Sequence, residues 1–164
     1  MSRRKKQSYE NLEISAYAAE GKSIGKLEDG KVLFVENAIP GDIVHVRVVK
    51  DKKSWAEAKI TALVAPSPNR IPAFCSHFGV CGGCKWQMLP YELQIQYKQQ
   101  QVIDQLTRIG QLTLPPVLPI LGSPIQTYYR NKIEFTFSKH RYRTSEELKQ
   151  ADDTPFELEP AMGF

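Results

Sequence analysis

Ile43-Val44-His45-Val46-Arg47-Val48-Val49, followed by Ala56-Glu57-Ala58-Lys59-Ile60-Thr61-Ala62-Leu63, decides the fold. In the first stretch β-branched residues recur with period two, the spacing of a strand with one buried face. The second alternates small or apolar residues with polar ones. Toward the N-terminus, Leu12-Glu13-Ile14-Ser15-Ala16 alternates in the same way, and Val32-Leu33-Phe34-Val35 does so more loosely. Glu20-Gly21, Asp29-Gly30 and Pro40-Gly41 punctuate these runs, and glycine supplies the positive φ of tight turns. Five short strands before Ala65 predict a small closed or partly open β-barrel, because closure removes exposed edges.

Working outward, Ala65-Pro66-Ser67-Pro68-Asn69-Arg70-Ile71-Pro72 reads as a proline-punctuated linker that ends the barrel. Pro90 stands where a helix starts, since its missing N–H costs nothing in the first turn. Leu93, Tyr97, Val102, Leu106 and Ile109 fall near one helical face, and Gly110 suits a C-terminal stop. Gln111–Thr127 holds four prolines and reads as a connection. Ile133, Phe135 and Phe137 alternate with Lys132, Glu134 and Thr136, an amphipathic strand. Met162-Gly163-Phe164 begins another. The expected class is α+β: a flexible basic arm at 1–8, the barrel at 9–67, a cysteine segment with one helix at 68–110, and part of a β-rich domain at 111–164.

Hydrophobic residues form 41% of the chain and charged residues 24%, which excludes wholesale disorder. No apolar run is long enough to span a bilayer, and no apolar segment follows the basic Met1–Lys6, so no membrane partner and a cytoplasmic setting are expected. The net charge of +4 is unevenly spread. Tyr128–Arg143 carries Arg130, Lys132, Lys139, Arg141 and Arg143 against Glu134 alone, while the stretch from Thr144 to Phe164 is acidic. Basic patches suit a polyanion such as RNA, because neutralising phosphates releases counterions. The same residues also fit a solvated surface.

The three cysteines lie within ten residues, in Cys75-Ser-His-Phe-Gly-Val-Cys81-Gly-Gly-Cys84. An odd number argues against a closed disulfide framework, and clustered thiols in a reducing compartment point to a metal or cluster. A C-x2-C turn folds two thiolates onto one centre, and the glycines let the backbone wrap closely. Cys75 adds a third. Both Zn²⁺ and an iron–sulfur cluster accept such donors. His77 is too near Cys75 for a comfortable fourth ligand and reads as an ordinary packed or exposed side chain.

Cys75, Cys81, Gly82, Gly83, Cys84, Gln87, Tyr91, Gln94 and Lys98 together resemble the signature of the iron–sulfur 23S rRNA (uracil-5-)-methyltransferases. The preceding segment resembles a TRAM domain, an OB-like RNA-binding barrel, through Glu20-Gly21-Lys22, Asp29-Gly30-Lys31, Phe34-Val35, Pro40-Gly41-Asp42 and Ala58-Lys59-Ile60. Tyr129-Arg130-Asn131-Lys132 resembles the start of the family's substrate-contacting central domain, although Asn131 interrupts its basic run. The resemblance implies a [4Fe–4S] cluster on Cys75, Cys81 and Cys84, with a fourth cysteine beyond Phe164. It implies methyl transfer from S-adenosylmethionine to C5 of uracil after a nucleophilic cysteine adds to C6.

Two departures accompany it. No strand leads into the glycine-rich turn that S-adenosylmethionine requires, and no separate cysteine stands ready to attack uracil. The chain therefore reads as an N-terminal fragment that holds RNA and is itself inactive. Lys22, Lys26, Lys52, Lys53, Arg130, Asn131, Lys132 and Arg141 are the expected RNA contacts, with Trp55 as a ring for stacking or as a core side chain. No DNA partner is expected. The alternatives are a free-standing RNA-binding module with structural zinc and an electron-transfer protein, the latter disfavoured by having only three cysteines.

Overall fold

In the computed structural model, residues 7–132, 134–141, 147 and 160–163 are described. Residues 1–6 of the basic arm, Ile133, Arg143 and most of the acidic stretch after Thr144 lie outside them. Five strands close into a barrel: β1 (Ser8–Tyr17), β2 (Lys22–Lys26), β3 (Val32–Glu36), β4 (Ile43–Asp51) and β5 (Trp55–Ala65), in the spatial order β1-β2-β3-β5-β4. All neighbours are antiparallel except β3 and β5, which run parallel from Val32↔Trp55 to Glu36↔Lys59. The strand periods left a closed or a partly open barrel, and the closed one forms, with the OB-like character that the TRAM resemblance implied.

The period-two pattern sorts the side chains. Leu12, Ile14, Leu33, Val35, Val44, Val46, Val48, Ala56 and Ala58 point inward and form the core. Each of the larger aliphatic side chains removed from water contributes about 1.5–3 kcal/mol. β2 does not show in the sequence pattern, which places Lys22 and Lys26 near loops. Its inward positions are Ser23 and Gly25, so it has no hydrophobic alternation. Gly25 is required there, because a Cβ would stand 2.7 Å from the Leu12 side chain. Ser23 is fully buried and its Oγ donates to Ala38 O at 2.6 Å.

A second, smaller core joins Ile39 of the β3–β4 connection to Met88 and Leu89. Tyr17, Phe78, Trp86, Leu93 and Tyr97 pack around it. It seats the cysteine segment and the helix α1 (Tyr91–Asp104) against the barrel. Leu93 and Tyr97 lie on the buried side, as expected, but Val102, Leu106 and Ile109 are exposed. Val102 stands five residues past Tyr97, about 140° round the regular helix from it, and so faces away within α1 itself. Leu106 and Ile109 instead belong to a π-turn over Gln105–Ile109, whose extra residue breaks the 3.6 period. The helix stops at Gly110, yet the left-handed residue is Gln111, at φ 52°.

The proline connection after Gly110 has no regular structure but is pinned. Gln99 bonds Leu118 O and Ile120 N, and Ser123 N donates to the Tyr91 hydroxyl at 2.7 Å. The amphipathic strand is shorter than its alternation suggests. β6 (Thr136–Ser138) pairs with β7 (Ala161–Gly163), and Phe137 is exposed.

Candidate nucleic-acid interface and cysteine loop

The outward positions of β3, β4 and β5 carry the first candidate surface. Trp55 opens β5, facing away from the core, so the core alternative for this ring is not the one adopted. Its ring lies edge-on to Phe34 with centroids 6.0 Å apart, and the Lys50 ammonium sits 5.2 Å over it. The strand register places Lys26, Val32 and Trp55 in one row across β2, β3 and β5. Lys52 and Lys53 follow in the exposed β4–β5 turn, which the bond from Lys52 N to Trp55 O closes. Thus Lys26, Lys50, Lys52, Lys53, Phe34 and Trp55 share one end of the barrel. Phe34 and Lys50 do not stand out as site residues in the sequence; their outward parity on strands flanking Trp55 is the signal that could have found them.

As Lys31 is paired with Asp51, so Lys22 is paired with a carboxylate. Its Nζ is 3.3 Å from Glu57 Oε1, with little of the side chain exposed, and Lys50 reaches the same carboxylate at 3.8 Å. Lys22 therefore serves the surface mainly by neutralising Glu57. The second expected group is held in local pairs: Arg130 Nε donates to Lys132 O, Lys132 lies 2.8 Å from Glu134, and Arg141 lies 2.9 Å from Glu147. Asn131 is exposed beside them. Such solvent-facing pairs hold weakly and exchange readily for phosphate.

The cysteine loop is anchored at both ends. Cys75 N donates to Gln87 Oε1 at 3.2 Å, and Gln94 Nε2 donates to Trp86 O and Leu89 O. The Lys98 ammonium lies 5.8 Å from the centre of the Trp86 ring. Gln87, Tyr91, Gln94 and Lys98, which share spacing with the cysteines, thus fasten the loop and its neighbouring connection to the helix. Gly79 and Gly82 take left-handed φ of 82° and 72° within the loop. All three thiols are free, with Cys84 exposed. Among the described residues no three His, Cys, Asp or Glu side chains are gathered to hold a metal ion. The donor chemistry suits a cluster; the arrangement of the thiols is not that of a finished site. His77 is exposed, and its Nδ1 lies 3.3 Å from the Ser76 hydroxyl.

Two features lock this loop to the barrel. Gly21, at φ 73°, lets the β1–β2 turn approach so closely that a Cβ would stand 2.6 Å from Lys85 Cβ. Behind it, the stretch expected as a linker is clamped. Arg70 grips the fully buried Asp42 with two nitrogens, one at 3.1 Å, and the same carboxylate accepts from Ser67 N and Ile39 N at 2.9 and 2.8 Å. Burial alone would push the Asp42 carboxyl up. The Arg70 guanidinium and the two backbone N–H groups together hold it below its ordinary value. In the aromatic cluster nearby, Tyr17 OH and Trp86 Nε1 are buried without hydrogen-bond partners among the described residues, and burial pushes the Tyr17 hydroxyl far up.

Fold and site define a class: a closed OB-like barrel with an aromatic and cationic rim, fastened to a thiol-bearing loop and a helix. More particularly, residues 3–61 match the TRAM domain family. Proteins carrying the name "Uncharacterized RNA methyltransferase" align over most of the chain. That of Bacteroides thetaiotaomicron is 50% identical over 147 residues, covering 90% of this chain and 32% of its own length. That of Porphyromonas gingivalis is 46% identical over 154 residues, covering 93% and 33%. The chain thus spans about a third of the length of these curated relatives. A solution structure of a conserved protein from Methanococcus maripaludis aligns with 34% of this chain and 77% of its own, at 32% identity and a TM-score of 0.31. No helix among the described residues is long and apolar enough to cross a membrane.

Proposed function

We propose that this chain is the N-terminal RNA-holding portion of an S-adenosylmethionine-dependent RNA methyltransferase that makes 5-methyluridine in 23S rRNA. The observation that carries the proposal is the barrel rim, where the outward Trp55 ring and Phe34 stand among Lys26, Lys50, Lys52 and Lys53. Bases of single-stranded RNA stack on such rings while the cations track the backbone. The names of the relatives supply the methyltransferase class. Uracil as the target and the large-subunit RNA rest on the motif resemblance of Cys75–Lys98.

In the same proposal Cys75, Cys81 and Cys84 furnish three thiolates of a [4Fe–4S] site, with a fourth ligand from outside residues 1–164. Gln87 and Gln94 hold that loop in place, and Gly21 lets it lie against the barrel. A cluster there would draw the three thiols of the loop together and tie the loop to whichever segment supplies the fourth ligand. The chain's own role is placement of RNA; the methyl-transfer residues are assigned elsewhere in the parent enzyme.

Salt-titrated fluorescence anisotropy with a single-stranded RNA oligonucleotide tests the proposal. Replacing Lys52 and Lys53 with Ala should reduce the slope of log affinity against log salt by about 0.7 for each phosphate no longer neutralised. Trp55→Ala should weaken binding by about 1–3 kcal/mol with the melting curve unchanged. Affinity that ignores both salt and these substitutions would remove the RNA-holding role.

A further inference from the structure

Between β1 and the C-terminal end of α1 lies a cleft of about 330 Å³. This is at the small end of the range for ligand pockets. Tyr17 and Tyr97 pack on each other, ring centroids 4.2 Å apart and inclined at 56°, and together form one aromatic wall. Gln101 and Gln105 also line it. Four residues apart, they lie on one side of the helix, and neither side-chain amide has a hydrogen-bond partner among the described residues. At the cleft's outer edge Arg108 is largely exposed, paired with Asp104 at 3.5 Å on the same helix.

The backbone gives an independent indication. Gln105 and Arg108 belong to the π-turn Gln105–Ile109. Such turns are rare overall and frequent at functional sites. Here the turn leaves Ile109 exposed beside the cleft. Primary amides present a donor and an acceptor side by side, the pattern that pairs with the edge of a nucleobase. Aromatic walls receive a base face, and a guanidinium receives phosphate.

From this convergence we infer that the cleft is a second RNA subsite, separate from the Trp55 rim, that takes one unpaired nucleotide. Gln101 and Gln105 read the base edge, the Tyr17–Tyr97 pair receives one face of the base, and Arg108 holds the phosphate. The inference rests on the RNA-holding role proposed above. It adds to it a place where base identity matters, since the rim contacts are indifferent to sequence.

The test uses the 164-residue chain with single-stranded oligo(A), oligo(C) and oligo(U) of equal length. Wild-type protein should prefer one homopolymer. The double substitution Gln101→Leu, Gln105→Leu should reduce that preference about 5- to 150-fold, the range of a good paired base contact. Its salt slope should stay the same. Arg108→Ala should instead lower the slope by about 0.7 for every homopolymer alike. Photo-crosslinking with 5-iodouridine RNA should place adducts on peptides holding Tyr17 or Tyr97. RNA binding that responds to Trp55→Ala, but neither to the glutamine pair nor to Arg108→Ala, and gives no such adducts, overturns the subsite and spares the RNA-holding role. Absence of RNA binding altogether overturns both. Melting curves of the variants should match wild type, because the glutamine amides make no bonds within the described fold.

Discussion

Replacing Arg70 with Ala should unfasten the segment that carries the cysteine loop away from the barrel. Asp42 is wholly buried and Arg70 a fifth exposed, so the substitution strands a carboxylate with only the N–H groups of Ser67 and Ile39. Removing one partner of a buried pair costs about 3–5 kcal/mol. Because Arg70 borders solvent, water reaches the vacated space, and the low end, about 3 kcal/mol, is expected. With a urea slope of about 1–1.5 kcal/mol/M, the unfolding midpoint at neutral pH falls by about 2–3 M. The pH dependence identifies the cause. In the wild type the Asp42 carboxyl is held below its unfolded value of 3.8, so its contribution is present above about pH 4 and fades as pH falls. In Arg70→Ala burial becomes the dominant influence and pushes the carboxyl up. The deficit is then largest at neutral pH and narrows as pH falls. The variant's carboxyl protonates first and sheds its penalty, while the wild type loses the stability its lowered carboxyl supplies. Urea unfolding at several pH values measures this, with Arg70→Lys as a variant that keeps charge but loses the two-pronged grip. A deficit under about 1 kcal/mol at pH 7, or one constant down to about pH 3, would refute the clamp.

Tyr17→Phe should stabilise the protein by about 1 kcal/mol, because it removes a buried hydroxyl that has no partner. It should also remove an alkaline limb: the raised Tyr17 value means stability present below pH 10 and lost as pH rises above it. Urea unfolding at neutral and alkaline pH reads both effects, and a clear destabilisation by Phe would contradict them. Anaerobic reconstitution followed by iron and sulfide analysis should show uptake that Cys81→Ser reduces. Tight stoichiometric zinc with no iron would instead favour the structural-zinc alternative.

The barrel was largely legible in the sequence because four strands bury one face each, and their alternation is written in Val44, Val46, Val48, Leu12, Ile14, Leu33 and Val35. β2 was not, since its inward residues are Ser23 and Gly25, suited to closeness with Leu12 and to a bond with Ala38 O. Likewise the cysteines announced themselves by spacing, while the partners of Gln87, Gln94 and Arg70 did not. Those contacts join residues between 5 and 33 positions apart, through geometry that no local pattern encodes.

By itself, then, the sequence determined the strand periods, the turn glycines, the thiol spacing and the basic surplus, all properties of neighbouring residues. Only the tertiary structure decided that Trp55 faces outward beside Phe34 and Lys50, and that a proline stretch is a clamp on Asp42 rather than a loose linker. It alone set a helix with a π-turn against β1 to leave a cleft between them. The physical reason is closure of the barrel and burial against it. These bring distant side chains together, and the gain depends on which surfaces meet, not on the order in which residues are written.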